Sequence, residues 1–295
     1  MIHAQPRGIL PRPRPAPPGT AASAGPAASI RSFVAIGDSF TEGLSDPRPD
    51  AEGLGGPGPG AGYRGWADRL ADRLSEAEPA LRYANLAVRG KLLDQVVRDQ
   101  LPAALAAGAD LVGFSAGAND ILRPGADPDA IAAGYDDALV RLLAGGAAVL
   151  TFTGADPRRA PVMGRLRGRI ATLNEHLRVI AARRGSVLVD LWGMPALQDP
   201  RAWGPDRIHL SPAGHARVAL LAAAALGLPV ESDPWEPWPD PPPAPRSRAQ
   251  ARRDDIAWAG AYLLPWAGRR LRGRSTGDGR AGKRPELAPW RAESW

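Results

Sequence analysis

The chain has 295 residues, and 44% of them are hydrophobic, which is enough for one large or two small domains with a buried core. It contains no cysteine, which excludes disulfides, a thiolate nucleophile and cysteine-based metal sites. The net charge of +6 comes from the C-terminal end, because residues 245–295 hold 12 Lys and Arg against 5 Asp and Glu. The basic composition is therefore no argument that the whole chain binds nucleic acid.

The first segment, residues 1–29, is rich in proline and small residues and lacks a leucine-type apolar core. We expect a disordered leader rather than a signal peptide. No later run approaches the roughly 18 apolar residues of a membrane span. The absence of cysteine fits a reducing compartment. Since neither a signal peptide nor a membrane span is predicted, we expect a cytoplasmic protein.

Five short apolar runs are typical of buried strands, and they cover residues 31–37, 81–88, 110–116, 147–153 and 186–191. Their near-continuous apolar character is expected where both faces of a sheet are covered. Amphipathic stretches typical of helices separate them at residues 63–76, 91–107, 128–144 and 165–184, and a last helix runs from Ser211-Pro212 to about Leu226. The alternation predicts an α/β fold with a five-stranded parallel sheet and helices on both faces.

Two regions fall outside this alternation. Residues 45–62 are rich in glycine and proline and form either a surface insertion or a segment that overhangs the site. Residues 229–295 carry six of the nine tryptophans and an arginine-rich stretch, with one short helix expected over residues 254–267. We divide the chain into a leader (1–29), a catalytic domain (30–228) and a C-terminal extension (229–295). Trp258, Tyr262 and Trp266 recur at a spacing of four, which favours docking of the extension on the domain over contact with an anionic surface.

Three short motifs follow predicted strands, and a fourth comes late in the chain. Gly37-Asp38-Ser39 supplies a candidate nucleophile, and a serine hydroxyl needs an adjacent base to react at neutral pH. His209 is the candidate base, and Asp206, three residues earlier, can orient its imidazole through a single turn. Ser39, Gly90 and Asn119 all lie just past strand ends, where parallel sheets bind ligands.

A tetrahedral intermediate of acyl transfer needs preorganised donors for its oxyanion. The backbone N–H groups of Ser39 and Gly90 and the side-chain amide of Asn119 are the candidates. His176 and His215 are expected to be solvated, capping or packing residues. Four histidines without ligand spacing do not indicate a metal site, and we expect no metal and no cofactor.

These motifs resemble the four blocks of the SGNH hydrolases, also called GDSL lipases/esterases, over about residues 33–226. The resemblance implies a flavodoxin-like three-layer α/β/α fold and metal-free hydrolysis of esters or thioesters. It implies Ser39 as nucleophile and oxyanion donor, Gly90 and Asn119 as further donors, and Asp206 with His209 as the acid–base pair. Phe40 stands where the family name has leucine, a position without a chemical role.

Two alternatives stay open. Residues 113–117 spell the G-x-S-x-G elbow of α/β-hydrolases, which would use Ser115 with Asp190 and His209 or His215. That interpretation leaves the Gly37-Asp38-Ser39 motif unexplained. The second alternative is a binding protein on the same fold that acts through its Arg/Trp extension. We expect a small-molecule, lipid or sugar ester as the partner and no obligatory nucleic acid; the acyl chain, the alcohol and the oligomeric state are not specified.

Overall fold

The computed structural model describes residues 30–48, 62–160, 163–241, 247–272 and 274–291. The expected leader and most of the glycine- and proline-rich segment, residues 49–61, lie outside the described residues. The strands are β1 (Ser32–Gly37), β2 (Arg82–Asn85), β3 (Leu111–Ser115), β4 (Ala148–Phe152), β5 (Val187–Val189) and β6 (Arg284–Pro289).

Ten α-helical segments accompany these strands in the described part of the chain. They are α1 (Ser39–Glu42), α2 (Gly65–Ala77), α3 (Leu93–Asp99), α4 (Leu101–Ala107), α5 (Ala118–Ile121), α6 (Pro128–Ala144), α7 (Arg167–Arg184), α8 (Pro212–Ala225), α9 (Arg248–Trp258) and α10 (Leu264–Leu271). A π-helical turn, Ala259–Leu263, joins α9 to α10. Short 3₁₀ turns lie at Met163–Leu166, Pro195–Gln198 and Pro200–Ala202.

The sheet has the order β5-β4-β3-β1-β2-β6, and its first five strands are parallel. The predicted α/β class and the flavodoxin-like order of the five parallel strands are therefore confirmed. The predicted number of strands is wrong by one, because β6 of the extension pairs antiparallel with β2. The sequence of β6, Arg284–Pro289, contains two prolines and two charged residues. Prolines and charged residues are uncommon in strands, so the hydrophobic pattern does not predict this one. An edge strand nevertheless tolerates both residue types.

The core lies on both faces of the sheet. Along β1, Phe33 and Ala35 point to one face, while Val34 and Ile36 point to the other, as the two-residue period of a strand requires. Helices α2 and α8 cover the first face, and α3, α4, α6 and α7 cover the second. Burial on both faces explains why the strands are almost continuously apolar.

The helix expected over residues 91–107 is interrupted at Gln100, where α3 ends and α4 begins. Pro102 in the first turn of α4 has no N–H and cannot continue the ladder of α3. The break allows the buried Gln100 side chain to leave the helix surface and reach β1.

Part of the C-terminal extension lies against the sheet. Beyond β6, the buried Trp290 packs edge-on against Tyr83 of β2 with ring centroids 5.0 Å apart. The Trp290 Nε1–H donates to the Asp72 carboxylate on α2 at 3.0 Å. Lys283, 8% exposed at its side chain, pairs with Asp68 of the same helix at 2.8 Å. The helix expected over residues 254–267 is longer in the structure and contains the π-helical turn.

Candidate active site

The nucleophile candidate lies at a tight turn between β1 and α1. Gly37 has φ +152°, and a side chain there would overlap the Ser115 carbonyl oxygen of the neighbouring strand. The Gln100 side chain fixes this turn, since its Oε1 accepts the Gly37 N–H at 2.8 Å and its Nε2 donates to the Gly37 carbonyl at 2.9 Å. Ser39 then opens α1, capped by the Asp38 carboxylate, which accepts the Phe40 N–H at 3.0 Å.

The three residues predicted as nucleophile, base and orienting carboxylate lie next to one another in the structure. Ser39 Oγ lies 2.9 Å from His209 Nε2, although 170 residues separate them. The other ring nitrogen of His209, Nδ1, lies 2.6 Å from Asp206 Oδ2. This is the hydrogen-bonding order of a serine nucleophile, an imidazole base and an orienting carboxylate.

The Asp206 carboxylate also organises its own loop. Its Oδ1 accepts the backbone N–H groups of Ile208 and His209, each at 3.0 Å. Burial raises the pKa of Asp206, but the hydrogen bond to His209, the charge of that ring and the two backbone donors outweigh it. The pKa of Asp206 is therefore lowered overall. A carboxylate that stays ionised favours the tautomer of His209 that carries its proton on Nδ1.

Asn119 lies in α5, directly after β3. Its Nδ2 is 3.1 Å from Asp38 Oδ2 and 3.0 Å from the Lys91 carbonyl oxygen. Gly117, with φ +97°, makes the turn that carries Asn119 back toward β1. Burial raises the pKa of Asp38 to about 6, opposed by the Phe40 N–H and the charge of His209.

The loop that carries Gly90 is held against the nucleophile helix by an ion pair that sequence reasoning missed. The buried Glu42 of α1 accepts the Arg89 backbone N–H at 2.7 Å and the Arg89 Nε–H at 2.9 Å. Gly90 has φ +75°, and a side chain there would overlap the Ser275 hydroxyl of the extension. The extension thus reaches the loop expected to supply an oxyanion donor.

The alternative triad of Ser115, Asp190 and a histidine is not formed, because the hydrogen-bonding partners of Asp190 and of both candidate histidines are other residues. Both ring nitrogens of His209 face Ser39 and Asp206, and those of the buried His215 face the Trp66 N–H and the Leu44 carbonyl. Asp190 pairs with Arg178 and accepts from the Thr153 hydroxyl at 2.8 Å.

The structure also places the other two histidines of the described residues, His176 and His215. His215 packs within the fold, as expected, and burial lowers its pKa to about 4. His176 Nε2 lies 2.6 Å from the exposed Asp129 carboxylate, as suits a solvated side chain.

Solved structures with a similar fold cover about two thirds of the chain. LAE5, an alpha/beta hydrolase enzyme from the metagenome of Lake Arreo, Spain, is 26% identical with a TM-score of 0.54, over 67% of this chain and 95% of that one. TesA is 23% identical with a TM-score of 0.51, over 66% and 97%. Axe2, an acetylxylan esterase from Geobacillus stearothermophilus, is 20% identical with a TM-score of 0.53, over 69% and 97%.

No curated protein sequence matches the chain. The model of the GDSL-like Lipase/Acylhydrolase family matches residues 35–217, a span that contains all the residues of the candidate site. The chain therefore belongs to the GDSL-like lipase/acylhydrolase family and is a hydrolase of ester bonds.

Proposed function

We propose that the chain hydrolyses carboxylic esters through an acyl-enzyme on Ser39, with His209 as general base and Asp206 as its orienting carboxylate. The observation that supports this proposal most directly is the continuous hydrogen-bonded path from Ser39 Oγ through the His209 ring to Asp206. The side chains of His209 and Asp206 are 22% and 18% exposed, so the site is partly shielded and still open to a small ester.

In the first half-reaction, Ser39 Oγ attacks the ester carbonyl carbon while its proton passes to His209 Nε2. The carbonyl π electrons move to oxygen and form a tetrahedral oxyanion. When the oxyanion collapses, the alkoxyl C–O bond breaks, and the leaving alcohol takes the proton from His209. Asp206 stays ionised throughout and stabilises the imidazolium that forms between the two proton transfers.

In the second half-reaction, water gives a proton to His209 and attacks the acyl-enzyme, and Ser39 leaves with that proton. Another alcohol in place of water would give acyl transfer with the same residues. We propose the N–H groups of Ser39 and Gly90 and the amide of Asn119 as oxyanion donors in both halves. Each step uses side chains, backbone and water and calls for no cofactor.

The substrate class stays a proposal among acetylated sugars, short-chain esters, lysophospholipids and acyl thioesters. The likeness to Axe2 makes an acetylated xylo-oligosaccharide a suitable first substrate to test. Short and long p-nitrophenyl esters compared in parallel would report on the acyl chain.

Labelling with a fluorophosphonate probe tests the nucleophile. We expect the adduct on Ser39, because only a serine activated by His209 attacks phosphorus rapidly. Ser39→Ala should abolish labelling and lower kcat by roughly 10³-fold or more. Ser115→Ala is the matched control and should keep labelling and most activity, and EDTA should change neither. A phosphonylated Ser115 in the peptide map would contradict the proposal.

The extension docks on the domain through Trp290, and we further propose that its exposed helical face contacts an anionic lipid surface as well. Two aliphatic side chains of its helical segment, Ile256 and Leu264, are 66% and 67% exposed. Exposed arginines lie on the same segment, at Arg248, Arg252, Arg253 and Arg272. Aliphatic and basic side chains together suit the acyl–headgroup boundary of a bilayer.

Among the described residues, the helices are too short or too polar to span a membrane. The cytoplasmic location stays a prediction.

Sedimentation of the Ser39→Ala protein with vesicles tests this contact without turnover. Binding is expected to vesicles that contain phosphatidylserine, and it should fall when the salt is raised from 50 mM to 500 mM, since screening removes the charge attraction. Vesicles of phosphatidylcholine alone serve as the control. Equal recovery in both pellets, or binding to duplex DNA but to neither vesicle, would refute the lipid proposal.

A further inference from the structure

The loop that carries the proposed catalytic pair contains an unfavourable backbone conformation. Arg207, between Asp206 and Ile208, has φ +59°. Among the non-glycine residues that the structure describes, only Ser45 shares a positive φ. L side chains rarely adopt this region because Cβ crowds the following carbonyl. The catalytic loop therefore needs support from the structure around it.

That support comes from helix α9 of the C-terminal extension. The Trp258 Nε1–H donates to the Asp206 carbonyl oxygen at 2.8 Å. The Arg207 guanidinium pairs with the Asp255 carboxylate and lies over the Trp258 ring, 5.3 Å from its centroid. Asp255 and Trp258 are three residues apart in α9 and thus share one face of it.

The hydrogen bond to Asp206 acts on the peptide plane that determines the loop geometry. The Asp206 carbonyl and the Arg207 N–H belong to one rigid planar unit. Its rotation would change ψ of Asp206 and φ of Arg207 together. An indole donor on the carbonyl resists that rotation, and the bound guanidinium anchors the next side chain. The same turn gives Asp206 Oδ1 its two backbone donors and places Oδ2 2.6 Å from His209 Nδ1.

We propose that Trp258 and Asp255 are positioning residues for the catalytic pair: they hold the Asp206–Arg207 peptide so that Asp206 meets His209. The proposal rests on the proposed function, because it takes Asp206 and His209 to be the catalytic pair. Both positioning residues lie outside the span of the family match, 35–217. The sequence motifs end at His209 and the helix that follows it, and they predict that the chemistry requires no residue beyond about Val230. A positioning role for Asp255 and Trp258 departs from that prediction.

The first test compares two tryptophan substitutions in the full chain. Trp258→Phe removes the indole donor and keeps an aromatic ring beneath Arg207. Trp290→Phe removes the same kind of donor from the same extension, but that donor binds Asp72 of α2. With p-nitrophenyl acetate, and rates expressed per site titrated with fluorophosphonate, Trp258→Phe should lower kcat about tenfold with KM nearly unchanged. Trp290→Phe should leave kcat within about twofold of wild type.

The second test is a double-mutant cycle with Asp206→Ala. If Trp258 acts through Asp206, Trp258→Phe should lower kcat no further in the Asp206→Ala background. An equal loss in both backgrounds would overturn the positioning role. If Asp206→Ala alone leaves kcat at the wild-type level, the proposed function fails instead, and the two failures are thereby distinguished.

Asp255→Asn provides a second, milder variant in case Trp258→Phe folds poorly. It keeps the shape of the side chain and removes the charge that pairs with Arg207. We expect a smaller loss of kcat, again with unchanged KM. Wild-type kcat in both Trp258→Phe and Asp255→Asn, measured on folded protein, would refute the proposal.

Discussion

Asn119 and Asp38 face each other beside Ser39, the proposed nucleophile, with Asn119 Nδ2 3.1 Å from Asp38 Oδ2. The second partner of this amide is the Lys91 carbonyl, so two different loops hold the Asn119 side chain before any substrate binds. A donor oriented in advance loses little free energy to reorganisation when the oxyanion forms. We expect the oxyanion to share one of these N–H groups.

Asn119→Ala should therefore lower kcat by about 10²–10³-fold, since one preorganised donor is worth roughly 3 kcal/mol in the transition state. The fold should persist, with a melting temperature close to that of wild type. Asn174→Ala is the matched control, because Asn174 is a buried asparagine that bridges the backbone of Gly154. Full kcat in a well-folded Asn119→Ala protein would show that the residue only caps or packs.

The Glu42–Arg89 ion pair predicts an effect on both stability and activity. Glu42→Gln leaves a largely buried guanidinium without its carboxylate, and breaking such a pair costs about 3 kcal/mol. It also releases the loop that carries Gly90, so kcat should fall in the protein that remains folded. Urea unfolding and steady-state kinetics measure the two effects.

The exposed pair Arg73–Glu231 provides the control for this prediction, since the Glu231 side chain is 65% exposed. Glu231→Gln should cost less than about 1 kcal/mol and leave kcat unchanged. Similar losses of stability in Glu42→Gln and Glu231→Gln would contradict the role assigned to the buried pair.

Because His215 is buried, we expect the free energy of unfolding to fall in acid. Burial lowers its folded-state pKa from 6.5 to about 4; the charges of Lys283 and Arg69 act in the same direction, and that of Asp46 opposes them. Between these two values the unfolded chain binds more protons than the folded one. The stabilisation is therefore complete above pH 6.5 and is lost as the pH falls toward 4, by about 3 kcal/mol in total.

The comparison with His215→Gln isolates this contribution. Asp38 has a raised pKa, so its contribution has the opposite sign over an overlapping pH range. That contribution is common to both proteins and cancels in the difference. We expect wild type to lose more free energy of unfolding than His215→Gln between pH 7 and pH 5. Parallel pH profiles for the two proteins would rule out a neutral, buried His215.

Trp290 predicts that the extension stabilises the whole domain. Its side chain is 5% exposed, packs against Tyr83 and donates to Asp72. Trp290→Ala should lower the free energy of unfolding by about 3 kcal/mol. Trp235→Ala, at a tryptophan that is 43% exposed in the same extension, should cost much less. Equal melting temperatures for wild type, Trp290→Ala and a chain ending at Pro234 would show that the extension does not stabilise the fold.

Much of the fold could be predicted because its signals are local. The five parallel strands are short apolar runs, and Ser39, Gly90 and Asn119 lie a few residues past the ends of three of them. The pairing of Asp206 with His209 could also be predicted, because three residues and one turn connect them. These features depend on the period of a strand or the reach of a turn, and a single sequence displays both.

The remaining features depend on contacts between distant residues. Gln100 reads as one polar residue in an amphipathic stretch, and only the break before Pro102 turns it toward Gly37. Glu42 and Arg89 are 47 residues apart and belong to different motifs. The helical spacing of Trp258 is visible in the sequence, but nothing in the sequence indicates that its indole donates to the Asp206 carbonyl. Charge and spacing identify such residues as polar or aromatic without specifying their partners.

The antiparallel pairing of β6 with β2 has a consequence for the order in which the protein is made. Ribosomes release the amino-terminal part first, so β1 to β5 leave the exit tunnel before Arg284–Pro289 exists as peptide. During that interval the outer edge of β2 exposes unpaired N–H and C=O groups, and the Tyr83 ring lacks its Trp290 cover. An exposed strand edge invites pairing with another chain. Until β6 has been made, the nascent protein therefore keeps an exposed strand edge, although all the proposed catalytic side chains have already been synthesised.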